Sequence, residues 1–311
     1  DVDACKTRIY QAAADEDAGD EIRIAAFHSL SLLENKQGRE GLVELLTSGL
    51  KTNLRLELVK AVSELDLSVA VNHGMELLVD DDLNETQQQA LLTSLLSQER
   101  GTEFVQERLQ QVSMSEQQAK EMLANTLATG RANQTLLATL AMSLGVSTKP
   151  PEYSEALVKS LKRNAEQSGD ATRGAEVFRA VACTSCHRIG GKGGTVGPNL
   201  TGLGRTLSGE RIIEEVIWPN RQIKEGYTSL RVITQDGKVL QGFERKTKQS
   251  EAEGGLAMLD PQTQQIVILA SDDIDQVHKS ASVMPEGLTN LLTADQLNDL
   301  LAFLIQRRID D

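Results

Sequence analysis

Five consecutive residues, Cys183-Thr184-Ser185-Cys186-His187, constrain this chain more than any other feature of it. In a Cys-x-x-Cys-His segment, both thiols can form thioethers with the vinyl groups of one haem while the histidine reaches its iron. The rest of the fold must then enclose a porphyrin beside this segment. We therefore predict one covalently bound haem c, with Cys183, Cys186 and His187 as attachment and ligand residues.

Two other kinds of site use closely spaced cysteines: a structural zinc site and a dithiol redox pair. Zinc takes four tetrahedral ligands, and Cys5, His28, His73 and His278 stand at no spacing that pairs with the motif. A redox Cys-x-x-Cys follows a strand of a βαβ unit, whereas residues 175–182 have a helical pattern. Both alternatives therefore lack residues or elements that they need.

Met284 is our candidate for the second axial ligand of the iron. Methionine in this position raises the reduction potential. A proline follows it, and a capping box at Thr293 and Gln296 then opens an amphipathic helix. His278 is the alternative ligand, and bis-histidine ligation would lower the potential.

A second helix is predicted to start after Asp170, before the cysteines. It carries Gly174, Val177 and Phe178, small and apolar side chains that allow a close crossing with the last helix. This helix and the last helix thus bracket the haem segment. A further helix, between them in sequence, is predicted to begin at Ser208.

Between the helix that begins at Ser208 and the last helix, the sequence pattern changes from that of helices to that of β-strands. Asp236-Gly237 lies between two β-rich runs, which is a hairpin signal, and residues 256–259 and 265–269 form a second pair. We predict a small β insertion over about residues 227–275 that covers the haem edge, docks a partner or acts as a structural cap. Met258, inside it, is interpreted as a packing residue.

An ordered series of motifs extends the signal well beyond the five-residue segment. The series resembles the haem-binding domain of the planctomycete and verrucomicrobial type, a class I-like cytochrome c domain, over about residues 170–308. Its motifs are Gly174, Cys183–His187, Gly197-Pro-Asn-Leu-Thr-Gly202, Trp218-Pro-Asn-Arg221, Tyr227, Asp236-Gly237 and Met284-Pro-Glu-Gly-Leu288.

The resemblance implies a hydrogen bond from the ligand histidine to a proline carbonyl, a role that falls on Pro198. Such a bond fixes the tautomer and the orientation of the imidazole. Domains of this type are commonly joined to dehydrogenase-like propellers and helical repeats in large secreted or membrane-associated proteins. A redox partner or a fused dehydrogenase module is the partner that this implies.

Haem also carries two propionates, which need cations or hydrogen-bond donors when they are buried. Arg205 and Arg221 are our candidates among the basic residues that follow the motif. The alternative is that both arginines simply make the surface soluble.

The first half of the chain has a different pattern, an apolar repeat with a step of 32 residues. Phe27, Val59, Leu91 and Leu123 recur at this offset. Repeats of this length build an α-solenoid from stacked helix pairs, and the pattern resembles HEAT or armadillo repeats. Two further sets share the step: Ala26, Leu58, Ala90 and Met122; Leu45, Leu77, Leu109 and Ala141.

The predicted fold class is mainly α, with a HEAT-like α-solenoid followed by a class I-like cytochrome c domain with a small β insertion. Residues 146–154, which include Pro150 and Pro151, form the clearest linker. The predicted divisions are residues 1–150 for the repeats, 151–169 for a linker helix and 170–311 for the monohaem domain.

The net charge of −13 belongs mostly to the first half. Residues 1–170 contain 16 Lys or Arg and 27 Asp or Glu, whereas residues 171–311 contain 16 and 18. Such an acidic surface disfavours nucleic acid as a partner. It favours a basic protein.

No apolar run approaches the roughly 20 residues that span a bilayer. Covalent haem attachment takes place outside the cytoplasm, so we expect a periplasmic or otherwise extracytoplasmic protein. Because no export signal begins the chain, we expect a processed or excised piece, from which Cys5 has lost its partner.

Three functions fit these features. The first is electron transfer by a non-enzymatic module, which accepts electrons from a dehydrogenase and passes them on. The second is a gas-binding or peroxidase-like haem with a displaceable sixth ligand, and the third is a scaffold with structural haem. We favour electron transfer because no distal acid/base pair accompanies Met284.

Overall fold

The chain forms two compact units, Asp1–Met114 and Ser115–Asp311, and is mainly helical. No helix within the described stretches is long and apolar enough to cross a membrane. The computed structural model describes residues 2–32, 36–79, 83–129, 134–223, 226–248, 250, 254–261, 263–280 and 282–306.

The first unit is helical throughout its described part. Helices that lie two apart along the chain pack together, α2 on α4, α4 on α6 and α5 on α7, and consecutive helices pack as well. The bounds are α1 (Val2–Ala14), α2 (Asp20–Ser31), α3 (Lys36–Leu45), α4 (Thr52–Ser63), α5 (Leu67–Val79), α6 (Glu85–Leu96) and α7 (Gly101–Leu109).

The positions that recur every 32 residues are buried, as the pattern predicts. Phe27, Val59 and Leu91 have no exposed surface, and each lies in the first helix of a pair. Ala90 is the exception and is exposed. The repeat therefore marks the buried faces of α2, α4 and α6.

The second unit combines helices with a small sheet. Its helices are α8 (Glu116–Ala128), α9 (Gln134–Ser143), α10 (Glu155–Ser168), α11 (Ala171–Ala180), α12 (Cys183–Cys186), α13 (Leu203–Thr206), α14 (Gly209–Ile217) and α15 (Ala294–Ile305). Its strands are β1 (Arg188–Ile189), β2 (Lys192–Gly193), β3 (Ser229–Thr234), β4 (Val239–Arg245), β5 (Leu256–Leu259), β6 (Ile266–Leu269) and β7 (Ile274–Ser280).

Helices α8 and α9 belong to the second unit, although the repeat pattern assigns them to the N-terminal domain of residues 1–150. The reason is packing, because α8 lies against α12. Compactness does not test which segment folds by itself, so the boundary at residue 150 stays a prediction.

Helices α11 and α15 cross closely because a glycine lies at the crossing. A Cβ on Gly174 would lie 2.0 Å from the carbonyl oxygen of Asp299 and 2.7 Å from the Cβ of Phe303. The ring of Phe178 packs on that of Phe303 with centroids 5.6 Å apart. The close crossing that the sequence predicts at Gly174 is confirmed.

A buried carboxylate fastens the same crossing. Asp299 is 4% exposed and accepts hydrogen bonds from the Asp170 amide at 2.7 Å and from Nε of Arg173 at 2.8 Å. The bond from Arg173 is the main cause that lowers the pKa of Asp299 below its usual value. The ionised carboxylate therefore stabilises the folded state.

We predict that Asp299→Asn lowers the free energy of unfolding of the second unit by about 1–3 kcal/mol at pH 7, since a charged hydrogen-bond acceptor is lost. A lowered folded-state pKa contributes stability above the unfolded-state value of about 3.9. The difference between variant and wild type should therefore shrink as the pH falls below about 4. Urea unfolding followed by fluorescence measures it, because Trp218, the chain's one tryptophan, lies in this unit.

Asp236→Asn is the matched control for this prediction. The pKa of Asp236 is also lowered, chiefly by a hydrogen bond from Thr234, but its side chain is 60% exposed in a hairpin turn. Exposed pairs contribute little. An equal loss in both variants would show that burial of Asp299 is unimportant.

The β insertion is a five-stranded antiparallel sheet in the order β6-β5-β4-β3-β7. The predicted hairpin at Asp236-Gly237 joins β3 to β4, and β5 and β6 form the predicted second pair. Met258 is 1% exposed and packs on Leu230 and Val232. Its interpretation as a packing residue is confirmed.

Strand β7 was not predicted, and the sheet runs beyond residue 275 because of it. β7 pairs with β3 at the edge of the sheet. Residues 275–279 are all exposed, so neither face of the strand shows apolar alternation. The periodic signal on which strand prediction depends is absent from such an edge.

Candidate haem-binding site

The cysteine motif forms its own short helix, and the following loop folds back onto it. Ala182 takes a left-handed conformation with φ of +59° and turns the chain from α11 into α12. The His187 amide donates to the Cys183 carbonyl at 2.9 Å, and the Gly194 amide donates to the Thr184 carbonyl at 2.8 Å. Backbone bonds thus fix the segment that carries both thiols.

Both thiols are free, half-buried and neutral at pH 7. Burial of the sulfur atoms is the main cause that raises the pKa of Cys183 and of Cys186 to about 12. Cys183 also packs against the apolar cluster around Phe178 and Phe303. A redox-active Cys-x-x-Cys has a lowered thiol pKa instead, so this environment disfavours the dithiol alternative.

His187 is held by the loop that follows it. Its Nδ1 lies 2.9 Å from the carbonyl oxygen of Pro198, and the Gly197 amide donates to the Cys186 carbonyl at 2.8 Å. A Cβ on Gly197 would lie 2.6 Å from Cε1 of the ring, so only glycine fits there without a shift. The bond to Pro198 requires a proton on Nδ1, which leaves Nε2 as the ring's acceptor nitrogen.

This arrangement fits a covalently attached haem. Burial lowers the pKa of His187, which keeps the imidazole neutral as a metal ligand must be. Its Nε2 has no hydrogen-bond partner among the described residues. Haem c attachment uses two thiols and an imidazole with a fixed tautomer. This segment supplies them, with an apolar cluster beside one of the thiols.

The zinc alternative lacks a ligand set in the described parts of the chain. A structural zinc ion takes four tetrahedral ligands. Within those parts, no group of three or more His, Cys, Asp or Glu side chains is arranged to hold a metal ion.

Helix α8 lies against the cysteine motif, which sequence reasoning missed. The sulfur of Cys186 is 3.5 Å from the carbonyl oxygen of Leu127, near the end of α8. Leu127 is itself 5% exposed. Residues 59 positions apart in sequence meet here, and no local pattern signals that contact.

Met284 lies in a loop that is anchored through its backbone. Its amide donates to Oγ of Ser282 at 3.1 Å, and the Ser282 amide donates to Oδ1 of Asn220 at 2.9 Å. Asn220 belongs to the Trp218–Arg221 motif, which is part of the family resemblance but for which the sequence predicts no structural role of Asn220. The Met284 side chain is half-buried, and the proline after it is buried.

The segment after α8 holds the other side of this loop. The side chain of Gln134 bonds both the amide and the carbonyl of Glu286, each at 3.3 Å. Asn290 donates to the carbonyls of Ser147 and Lys149 at 2.7 and 2.8 Å. The predicted linker of residues 146–154 therefore packs against the loop that carries Met284.

The remaining candidates are dispersed. Arg205 is exposed on α13, and the guanidinium of Arg221 lies 3.4 Å from the ring centroid of Tyr153. His278 is exposed on β7, where Nε2 pairs with Gln276 at 3.0 Å. The structure thus brings together Cys183, Cys186, His187 and Pro198, whereas Arg221 contacts an aromatic ring.

A comparison with protein families supports a haem site in the part of the chain that carries the cysteine motif. A search of curated proteins found no match to the chain. Residues 171–307 match the family model for cytochrome c. Domains of this family carry haem c, typically transfer electrons and are typically extracytoplasmic. The match therefore supports a haem-binding cytochrome c domain at residues 171–307.

Proposed function

We propose that this protein is an extracytoplasmic electron-transfer protein or module with one haem c bound covalently through Cys183 and Cys186. The single observation that carries the proposal is the bond between Nδ1 of His187 and the Pro198 carbonyl. It orients the imidazole and leaves Nε2 for iron, beside two neutral thiols. Haem c supplies one-electron chemistry at its iron, and the chain's part is to hold the group and control access to it.

Met284 is the proposed sixth ligand. Its loop is fixed by Asn220 on one side and by Gln134 and Asn290 on the other. Electron transfer favours a coordination that does not change with oxidation state, and a loop anchored in this way resists movement. His278, on an exposed edge strand and paired with Gln276, is a poorer ligand.

Arg205 is the better proposed partner for a propionate. It is exposed on α13, a helix that packs against α15. Arg221 stacks on Tyr153, an interaction that already stabilises its charge. Binding of a propionate by Arg221 would have to replace this contact.

The repeat domain predicted over residues 1–150 is proposed to be a HEAT-like solenoid that docks redox partners. The stacking of α2 on α4 and of α4 on α6, with a step near 32 residues, supports this proposal. Its acidic surface would attract a basic protein. A dehydrogenase, separate or fused, is the proposed electron donor, since domains of the planctomycete type are commonly joined to dehydrogenase-like propellers.

Carbon monoxide tests electron transfer against the gas-binding alternative. If Met284 holds the sixth position, the visible spectrum of the ferrous protein should stay unchanged for minutes under saturating carbon monoxide. Reduction by dithionite in the same cell should be complete within the mixing time. An immediate shift of the Soret band would contradict the proposal and favour a gas-binding or peroxidase-like haem.

A further inference from the structure

A cavity of about 170 Å³ lies between the glycine-rich loop after His187 and the β insertion. Its walls include neither thiol, nor His187, nor Met284, so it is separate from the candidate haem ligands. From the loop side it is lined by Arg188, Gly194, Thr195, Gly197 and Asn199, and from the sheet side by Tyr227, Phe243, Arg245, Leu259 and Gln264.

Arg188 provides a guanidinium group to this wall. Its Nε is buried and has no hydrogen-bond partner in the described parts of the chain. A buried donor without a partner costs about 1–3 kcal/mol, so native structures rarely keep one without a reason. Nε itself is closed to solvent, so Arg188 lines the cavity through its other atoms.

Arg245 places a second guanidinium on the same wall. Its Nη1 donates to the carbonyls of Gly226 and Glu244, each at 2.8 Å, which fixes the group in place. The carboxylate of Glu244 is engaged by Lys279 at 3.2 Å, and none of the described residues that line the cavity is Asp or Glu. The cavity is thus locally basic in a chain with a net charge of −13.

The sheet is fastened to the loop beside this cavity. Oγ1 of Thr195 donates to the Pro261 carbonyl at 2.8 Å, and Nε2 of Gln264 donates to the Thr195 carbonyl at 3.0 Å. Gln264 holds a left-handed backbone with φ of +58°, which costs roughly 1 kcal/mol for a residue other than glycine. These bonds keep the walls at a fixed separation, as a preformed binding site requires.

Two aromatic rings form part of the sheet side of the lining. The rings of Tyr227 and Phe243 pack edge to face with centroids 5.1 Å apart, and Phe243 is 1% exposed. The volume is large enough for several water molecules. It suits a small ligand.

From these observations we infer that the cavity binds a small oxyanion, of the size of phosphate or a short dicarboxylate, through Arg188 and Arg245. Planar guanidinium groups bind carboxylate and phosphate oxygens through paired hydrogen bonds. The ligand would neutralise the local positive charge. The site gives the β insertion a binding role next to the loop that orients His187.

Isothermal titration calorimetry of the full, haem-loaded chain tests this inference, with inorganic phosphate and succinate as separate probes. We expect saturable one-to-one binding of at least one probe. Binding should weaken at least tenfold in Arg188→Gln and in Arg245→Gln. Phosphate alone would assign a tetrahedral oxyanion, and succinate alone a dicarboxylate.

Arg231→Gln is the matched control, because Arg231 lies in β3 of the same sheet and outside the cavity lining. It removes the same charge and should bind as wild type does. Because Arg188 adjoins His187, a folding defect in that variant leaves Arg245→Gln as the decisive one. No binding of either probe, or equal binding by Arg245→Gln and wild type, would overturn the inference. Haem content is measured on the same samples, so a failure of haem attachment is seen separately.

Discussion

Serine in place of both Cys183 and Cys186 is expected to abolish covalent haem attachment. Serine cannot form the thioethers, and the imidazole of His187 alone holds haem only reversibly. After expression with haem-attachment machinery, acid-acetone extraction should therefore remove all haem from the double variant and none from wild type. The denatured mass of the variant should equal that of the polypeptide.

Cys5→Ser is the control for this experiment. Cys5 is the third free cysteine of the chain and is exposed in α1, in the first unit. Its variant should keep the haem that wild type keeps. Haem that resists extraction from the double variant would show that attachment uses other residues.

Met284→Ala is expected to remove the sixth ligand and with it the weak charge-transfer band at the red end of the ferric spectrum, which is typical of sulfur bound to iron. The ferrous variant should then bind carbon monoxide within the mixing time, because the position is open. The reduction potential should fall, since a methionine ligand favours ferrous iron. Optical spectra and a redox titration measure all three effects.

His278→Ala is the paired control and should keep the band, the slow reaction with carbon monoxide and the potential. His278 lies on the exposed strand β7, so its removal should leave the fold intact. The opposite pattern would assign the sixth position to histidine. A high-spin spectrum of the wild-type protein would instead favour a gas-binding function.

Local signals predicted the ends of several elements. Ser208 accepts a hydrogen bond from the Arg211 amide and starts α14, and Thr293 with Gln296 forms the capping box of α15. The resemblance also predicted the partnership of His187 with Pro198, which the structure forms at 2.9 Å. Such features depend on a few neighbouring residues and so are visible in sequence.

Contacts between distant segments could not be predicted in the same way. The contact of Leu127 with Cys186 and the pairing of Gln134 with Glu286 depend on how α8 and α9 pack within the second unit. The 32-residue repeat reports which faces of helices are buried, not which surface buries them. Helices of a repeat pattern therefore also contact the cysteine motif and the Met284 loop.

Strand β7 and the cavity at Arg188 escaped prediction for related reasons. β7 is an edge strand whose residues 275–279 are all exposed, so it lacks the alternation of an amphipathic strand. Arg188 follows His187 directly and reads as an ordinary basic residue of a cytochrome motif. Only the fold shows that its Nε is buried with no partner in the part of the chain that the structure describes, and that Arg245 shares its cavity.

The denatured mass of the wild-type protein tests the central claim most directly. After expression with haem-attachment machinery, the mass should exceed that of the polypeptide by one haem, and proteolysis should place the added mass on the peptide that contains residues 183–187. The pyridine haemochrome of the same sample should show two thioether bonds. A polypeptide mass without haem, a haem that washes out in acid acetone, or zinc in place of iron would contradict the account.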